Sequence, residues 1–286
     1  MNSIKYFFQF FIIFFLFIIF KILGLKFASN FSSWLLKFFG PFFRSKKIIK
    51  QNILKAFPEI NNKDLKTIIV NMWGNYGRIL SEYVFLKDFR QSKFKDNLEI
   101  VGQNILEEIK KEGKPVIFVS GHFNNFELMA MHIEKSGLDL AVVYRPLNNK
   151  FLNLVMEKIR KKYICKHQIK KGIAGTKQLL SFFKHNHSIA LMIDQRVSQG
   201  IKSNFFNHEA YTTTIPAQFV KKFNCKIVPI YIERANKVNF KLTINKPLEY
   251  LATSTIEDIT LDLNLTIEKM ILKNPDQWIW THNRWK

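Results

Sequence analysis

His122 and Glu127 stand five positions apart in residues 121–127 (GHFNNFE), directly after the apolar run 115–120 (PVIFVS). An imidazole and a carboxylate brought together at a strand-to-helix turn form a general base. The acid fixes the tautomer and stabilises the imidazolium while the ring takes a proton from a hydroxyl. The spacing alone specifies little, because a loop histidine is more often a plain hydrogen-bonded residue. Context adds weight: the run 115–120 reads as a buried strand and 126–133 (FELMAMHI) as the apolar face of a following helix. Ligands of open α/β sheets bind at the carboxyl ends of strands.

Two other strand ends bring polar residues to the same rim. Arg145 follows AVVY and Asp194 follows IALMI. Asp194 could instead cap a turn, and Arg145 could pair with a carboxylate. With His122 they form a rim suited to a phosphorylated ligand, for which arginine offers paired donors.

The elements that must position these residues alternate along the chain. Strands are expected at 115–120, 139–144, 188–194 and 226–232, with 239–245 as an antiparallel addition. Helical periodicity runs through 126–136, 150–163, 174–185 and 215–223. Asn62 is expected to cap a helix from Lys63 to about Leu86, with Asp64 favouring the dipole in its first turn. Strand then helix, repeated, predicts an α/β fold with a mostly parallel central sheet flanked by helices. With 286 residues, 47% hydrophobic and 29 Phe, the chain can bury a large core, and no linker divides it. Cys165 and Cys225 lack Cys-x-x-Cys spacing, so neither a thiolate metal site nor a disulfide framework is suggested, and a reducing, cytoplasm-facing location fits.

The amino terminus carries a second strong signal. Residues 6–20 (YFFQFFIIFFLFIIF) hold no charge, and apolar character resumes after Lys21 through Leu25. About twenty such residues in a helix reach roughly the 30 Å thickness of the hydrocarbon core. A membrane helix over residues 1–25 is therefore expected, either spanning with Lys21 snorkelling near one end or lying in one leaflet. A cleaved secretory signal would need a small-residue site, whereas cations follow. The first acid is Glu59, while Lys21, Lys26, Lys37, Arg44 and four further lysines precede it and only Lys5 lies before the apolar run. The positive-inside rule places residues 26–286 in the cytoplasm. Aromatics interleaved with Lys37 and Arg44 in residues 27–44 suit anionic head groups, or equally a hydrophobic hairpin packed within the protein.

The net charge of +22 also raises nucleic acid as a partner, but no zinc-finger, helix-turn-helix or RNA-binding aromatic pattern accompanies it. Its local distribution says more. Residues 145–177 hold ten Lys or Arg against the single acid Glu157, a patch for an anionic partner.

The motifs GHFNNFE, VYRPLNN (143–149), MIDQR (192–196), the Phe205–Phe206 pair and PDQWIWTHNRWK (275–286) occur in that order, with QNILKAFPE (51–59) and GNYGRILSEYV (74–84) ahead of them. This ordered set resembles the bacterial lipid A biosynthesis acyltransferases, the late Kdo-dependent lauroyl and myristoyl transferases of the His-x4-Asp/Glu acyltransferase superfamily. The resemblance spans essentially the whole chain. It implies transfer of a fatty acyl chain from acyl carrier protein to a glycolipid hydroxyl at the cytoplasmic face of the inner membrane, with no cofactor and no metal. It implies His122 as general base, Glu127 as its partner carboxylate, and Arg160 as an active-site arginine. Arg145, Asp194 and Arg196 match motif positions and are expected to bind substrate. Asn124 and Asn207 stand where the family carries glycine and Phe126 where it carries tryptophan; asparagine tolerates left-handed backbone, so the turns should survive. Other acceptors, such as a phospholipid, an ornithine lipid or a mannoside, remain compatible with the motifs. From other classes, so do a hydrolase using the same base on water and a non-catalytic lipid-binding protein.

Overall fold

The computed structural model describes residues 2–286. Its strands are β1 (Leu98–Val101), β2 (Ile117–Ser120), β3 (Leu140–Tyr144), β4 (His167–Lys170), β5 (Ser188–Met192), β6 (Ile201–Phe205), β7 (His208–Thr212), β8 (Ile227–Asn236) and β9 (Asn239–Ile244). Its helices are α1 (Asn2–Phe39), α2 (Lys46–Ala56), α3 (Asn62–Glu82), α4 (Leu86–Arg90), α5 (Gln103–Glu112), α6 (Glu127–Lys135), α7 (Lys150–Tyr163), α8 (Ile173–Lys184), α9 (Ile215–Phe223) and α10 (Ile256–Lys273).

Seven strands form one sheet in the order β1-β9-β8-β2-β5-β3-β4, with β6 and β7 pairing as a separate antiparallel hairpin. Every neighbouring pair in the large sheet is parallel except β8 with β9. This is the expected mixed α/β fold with a mostly parallel sheet between helices. All four residues of β2 are buried, because helices cover both faces of the sheet centre and leave no polar side to alternate with. The strands not expected from the sequence are the β6–β7 hairpin and, in the large sheet, β1 (LEIV) and β4 (HQIK), which form its two edges. Half-covered edges admit charged residues, so their composition does not stand out.

Within α1 the helical backbone is interrupted at Gly24 (φ 72°, ψ 164°), next to the expected end of the first apolar stretch, and a second helical stretch runs on in a new direction to Phe39. This second stretch docks on α3 through small residues. Ser32 Oγ donates to the Gly77 carbonyl at 2.6 Å. A Cβ at Gly77 would lie 2.1 Å from the Ser32 carbonyl oxygen, and one at Gly74 2.8 Å from Ser33 Oγ. At Gly77 the obstacle is backbone, so only glycine allows the two helices to approach this closely there, which gives the GNYG segment a packing duty. α3 itself is capped by Asn61, not Asn62: the Asn61 side chain accepts from the Asp64 amide at 2.9 Å. It stops at Glu82, where a single tighter turn leads into α4, so the expected run to Leu86 is broken into two helices.

Candidate active site

β2 and β5 are adjacent and parallel, with Ser120 paired to Met192. Two residues beyond each partner, the chain delivers His122 and Asp194 side by side. The His122 amide donates to Asp194 Oδ2 at 2.9 Å, and His122 Nδ1 lies 2.8 Å from Asp194 Oδ1. Trp278 Nε1 donates to Oδ2 of the same carboxylate at 2.7 Å. Asp194 is 1% exposed, so it stands behind the imidazole and not on the rim where it was expected to meet substrate. The His122 ring rests edge-on against Phe126 at 5.1 Å. With Nδ1–H donated to Asp194, Nε2 is the basic nitrogen.

Electrostatics match this arrangement. Burial opposes protonation of His122, but the negative charge and hydrogen bond of Asp194 outweigh it and raise the imidazole above its usual range, with a further contribution from Glu127. Burial likewise disfavours ionised Asp194, yet His122 and Trp278 hold its carboxyl below the ordinary value. A general base at His122 would have to be neutral, so on that reading the acid limb of kcat/KM is expected above pH 6.5, with activity rising as pH increases through the raised value. Asp194→Asn removes the charge that raises it. The limb should then move to lower pH while plateau turnover falls roughly 10² to 10⁴-fold, because the tautomer is no longer held. An unchanged pH profile in that variant would remove Asp194 from this role.

The expected hydrogen bond between His122 and Glu127 is not made. Glu127 opens α6 and accepts at Oε1 from Arg160, at 2.8 Å from Nε and 2.6 Å from a terminal guanidinium nitrogen, and from the Tyr83 hydroxyl. Arg160 reaches there from α7, its guanidinium flanked by the Tyr83 and Tyr144 rings at 6.0 and 5.7 Å. Its Nε also donates to the Tyr83 oxygen, so Arg160 ties Glu127 and Tyr83 together. Arg145 is exposed beyond β3. Arg196 turns toward the carboxyl terminus, donating from Nε to the Lys286 carbonyl at 2.9 Å and stacking over Tyr211 at 5.3 Å. From the expected set the structure thus pairs His122 with Asp194 and Glu127 with Arg160, and leaves Arg145 and Arg196 outside both pairs.

The loop that carries His122 rests on a buried polar layer that single-residue reading of the sequence missed. Asn124, at φ 44°, donates from its side chain to Gln277 Oε1 at 2.6 Å, and its amide donates to the Gln277 carbonyl at 3.2 Å. Asn207 likewise takes positive φ, at 57°, so both asparagines adopt the backbone expected of glycine substitutes. Glu82, fully buried at the end of α3, binds the Arg234 guanidinium in a fork at 2.6 and 3.1 Å and accepts from Asn125 at 3.3 Å. Tyr83, Glu82 and Trp278 lie inside segments that the motif comparison had marked, GNYGRILSEYV and PDQWIWTHNRWK. Their separation of nearly 200 positions hid that both segments support one loop.

A histidine held by a buried aspartate at the carboxyl end of a central parallel strand has the geometry that general-base chemistry on a hydroxyl requires. A sequence model described as bacterial lipid A biosynthesis acyltransferase matches residues 1–286, and the chain belongs to that family; it is an acyltransferase. Among its relatives, the lipid A biosynthesis acyltransferase 2 of Shigella flexneri is 22% identical over 80% of this chain and 74% of its own length. The lipid A biosynthesis palmitoleoyltransferase and lauroyltransferase of Escherichia coli K12 are 22% and 21% identical, each over 85% of this chain and 79% of their own. Among solved structures, the 1-acyl-sn-glycerophosphate acyltransferase of Thermotoga maritima is similar at a TM-score of 0.43 and 12% identity, covering 89% of this chain and 96% of that one.

Proposed function

We propose that the protein transfers a fatty acyl chain from acyl carrier protein to a hydroxyl of a lipid A precursor at the cytoplasmic face of the inner membrane. The observation that carries this reading is His122, buttressed by Asp194 through Nδ1 with Nε2 left as the base, in a chain that matches the lipid A acyltransferase family over its full length.

The chemistry follows from that geometry. An alcohol is a weak nucleophile near neutral pH. His122 Nε2 removes the hydroxyl proton as the oxygen attacks the thioester carbonyl carbon, and Asp194 stabilises the imidazolium that forms. Collapse of the tetrahedral intermediate breaks the C–S bond, and the imidazolium returns its proton to the leaving thiolate. An ester and a free thiol result, with no covalent enzyme intermediate. Glu127 acts at a distance: clamped by Arg160 and Tyr83, its charge favours the imidazolium without hydrogen bonding to it.

The basic patch supplies the docking surface for the acidic carrier protein. Lys161, Lys162, Lys170 and Lys171 are exposed, and of these Lys170 lies 3.5 Å from Glu157. Reversing the charge of Lys161, Lys162 and Lys171 should raise the apparent KM for acyl carrier protein with little change in kcat. The defect should shrink as salt rises, because the screening length is only about 8 Å at 0.15 M. A defect insensitive to ionic strength would show that these lysines do not act by long-range attraction. The reaction itself is tested by incubating detergent-solubilised protein with an acyl carrier protein thioester and a lipid A precursor, and reading products by mass spectrometry. Ester formation is expected; free fatty acid without ester would make the protein a hydrolase.

A further inference from the structure

The carboxyl-terminal segment beyond α10 is laid along the loop that follows β5 and is pinned at several points. Trp278 Nε1 holds Asp194 near its start. Near its end Arg284 is fully buried, its guanidinium donating to the Tyr211 carbonyl at 2.8 Å and to Thr212 Oγ1 at 2.7 Å on β7. Between them, Asn52 of α2 donates from Nδ2 to the carbonyls of Trp280 and His282 at 2.8 and 2.7 Å, and the Tyr76 and Thr281 hydroxyls bond to each other at 2.9 Å. The His282 ring is fixed to the same loop. The amide of Arg196, two residues beyond Asp194, donates to His282 Nε2 at 3.2 Å. A second imidazole therefore stands beside the one that Asp194 holds, close enough for the charges of Asp194 and His122 to act on it.

That backbone bond decides the chemistry of the ring. An N–H cannot donate to a protonated nitrogen, so Nε2 carries a lone pair and the neutral ring has its hydrogen on Nδ1. Burial keeps the ring neutral by lowering the imidazole below its usual range; the Asp194 carboxylate opposes this, while His122, Arg284 and Lys171 add to it. Among the described residues Nδ1 meets no protein acceptor, and it is open to solvent. The two histidines are thus complementary. His122 spends Nδ1 on Asp194 and keeps Nε2 as a base, whereas His282 spends Nε2 on a backbone amide and keeps Nδ1–H as a donor. Capping the Arg196 amide does not by itself call for an imidazole, because a glutamine carbonyl of the same reach would serve.

We propose that His282 is a further catalytic residue, donating a hydrogen bond from Nδ1 to the thioester carbonyl oxygen as that atom becomes an oxyanion. The inference rests on the acyl transfer proposed above. As the hydroxyl oxygen bonds to the carbonyl carbon and His122 takes the hydroxyl proton, the carbonyl π pair moves onto oxygen. His282 stabilises that charge and transfers no proton, and the pair returns to re-form the carbonyl when the C–S bond breaks. A neutral donor held rigidly suits a charge that exists only near the transition state, since a protonated ring would bind ground-state anions as well.

Two variants separate this role from a structural cap. In His282→Gln, Oε1 reaches the place of Nε2 and still accepts from the Arg196 amide, but nothing remains in place of Nδ1. In His282→Asn, Nδ2 reaches the place of Nδ1 and keeps a donor there, but the cap is lost. Full-length protein in detergent is assayed with the thioester and lipid A precursor named above, both saturating, and its thermal unfolding is followed. His282→Gln is expected to lower kcat roughly 10² to 10³-fold, the range for one lost oxyanion donor, with KM little changed and unfolding near the parent temperature. His282→Asn is expected to recover roughly tenfold or more of that loss in kcat while unfolding earlier, so the orders of activity and stability are opposite. Equal loss of kcat in both variants, a glutamine variant faster than the asparagine one, or a defect confined to KM overturns the proposal. A parent protein that forms no ester refutes the reaction itself, whereas ester formation by the parent without the split between variants refutes only the role of His282.

Discussion

Replacing His122 by alanine is expected to lower turnover roughly 10² to 10⁴-fold, the range for loss of a general base. The fold should survive. His122 is part-exposed, and the buried Asp194 it leaves behind keeps the hydrogen bond from Trp278 and the one from the backbone amide of residue 122. Thermal unfolding in detergent should therefore stay near the parent value while product formation collapses. Glu127→Gln serves as the contrasting variant. It disrupts the ion pair with Arg160 without touching the His122–Asp194 hydrogen bond, so its pH profile should shift less than that of Asp194→Asn. Near-normal turnover in His122→Ala would eliminate the base mechanism.

The largest effect on stability is expected at Glu82. Its carboxylate is fully buried and faces an Arg234 side chain only 7% exposed, so Glu82→Ala leaves a buried guanidinium without its counter-charge, held only by the Asn75 side chain and the Lys237 carbonyl. Removing one partner of a buried pair costs about 3 to 5 kcal/mol. The midpoint of thermal unfolding should fall by on the order of 10 °C. Asn125 loses its acceptor at the same time, so activity should fall in the fraction that remains folded. Replacing both residues with apolar ones of similar size, Glu82→Met with Arg234→Met, should recover much of the stability, because the loss comes from the unpaired charge. A Glu82→Ala protein that unfolds at the parent temperature would mean that Asn75 and the Lys237 carbonyl suffice for Arg234, and the supporting layer would have to be redrawn.

His122, its position after a buried strand and the alternation of strands with helices are properties of the sequence, because β2, β3, β5 and β8 are apolar runs and their period survives without knowledge of neighbours. The amino-terminal apolar helix is equally a matter of composition. Family membership is carried by the order of motifs along one chain. The sequence could not decide which carboxylate His122 binds. Glu127 is close in sequence, but it opens α6 and meets Arg160, whereas Asp194 arrives from 72 positions away because β5 lies beside β2 in parallel register. Sheet order is a long-range choice made by packing, and no local pattern encodes it. The same holds for the layer beneath the loop, where Glu82, Arg234 and Gln277 come from α3, β8 and the carboxyl-terminal segment. It holds also for the contacts that bind α1 to the domain at Tyr6 and Lys21. Residue types set which interactions are available; the tertiary fold selected the pairs, because a buried charge or polar group is stable only where a partner from another element meets it.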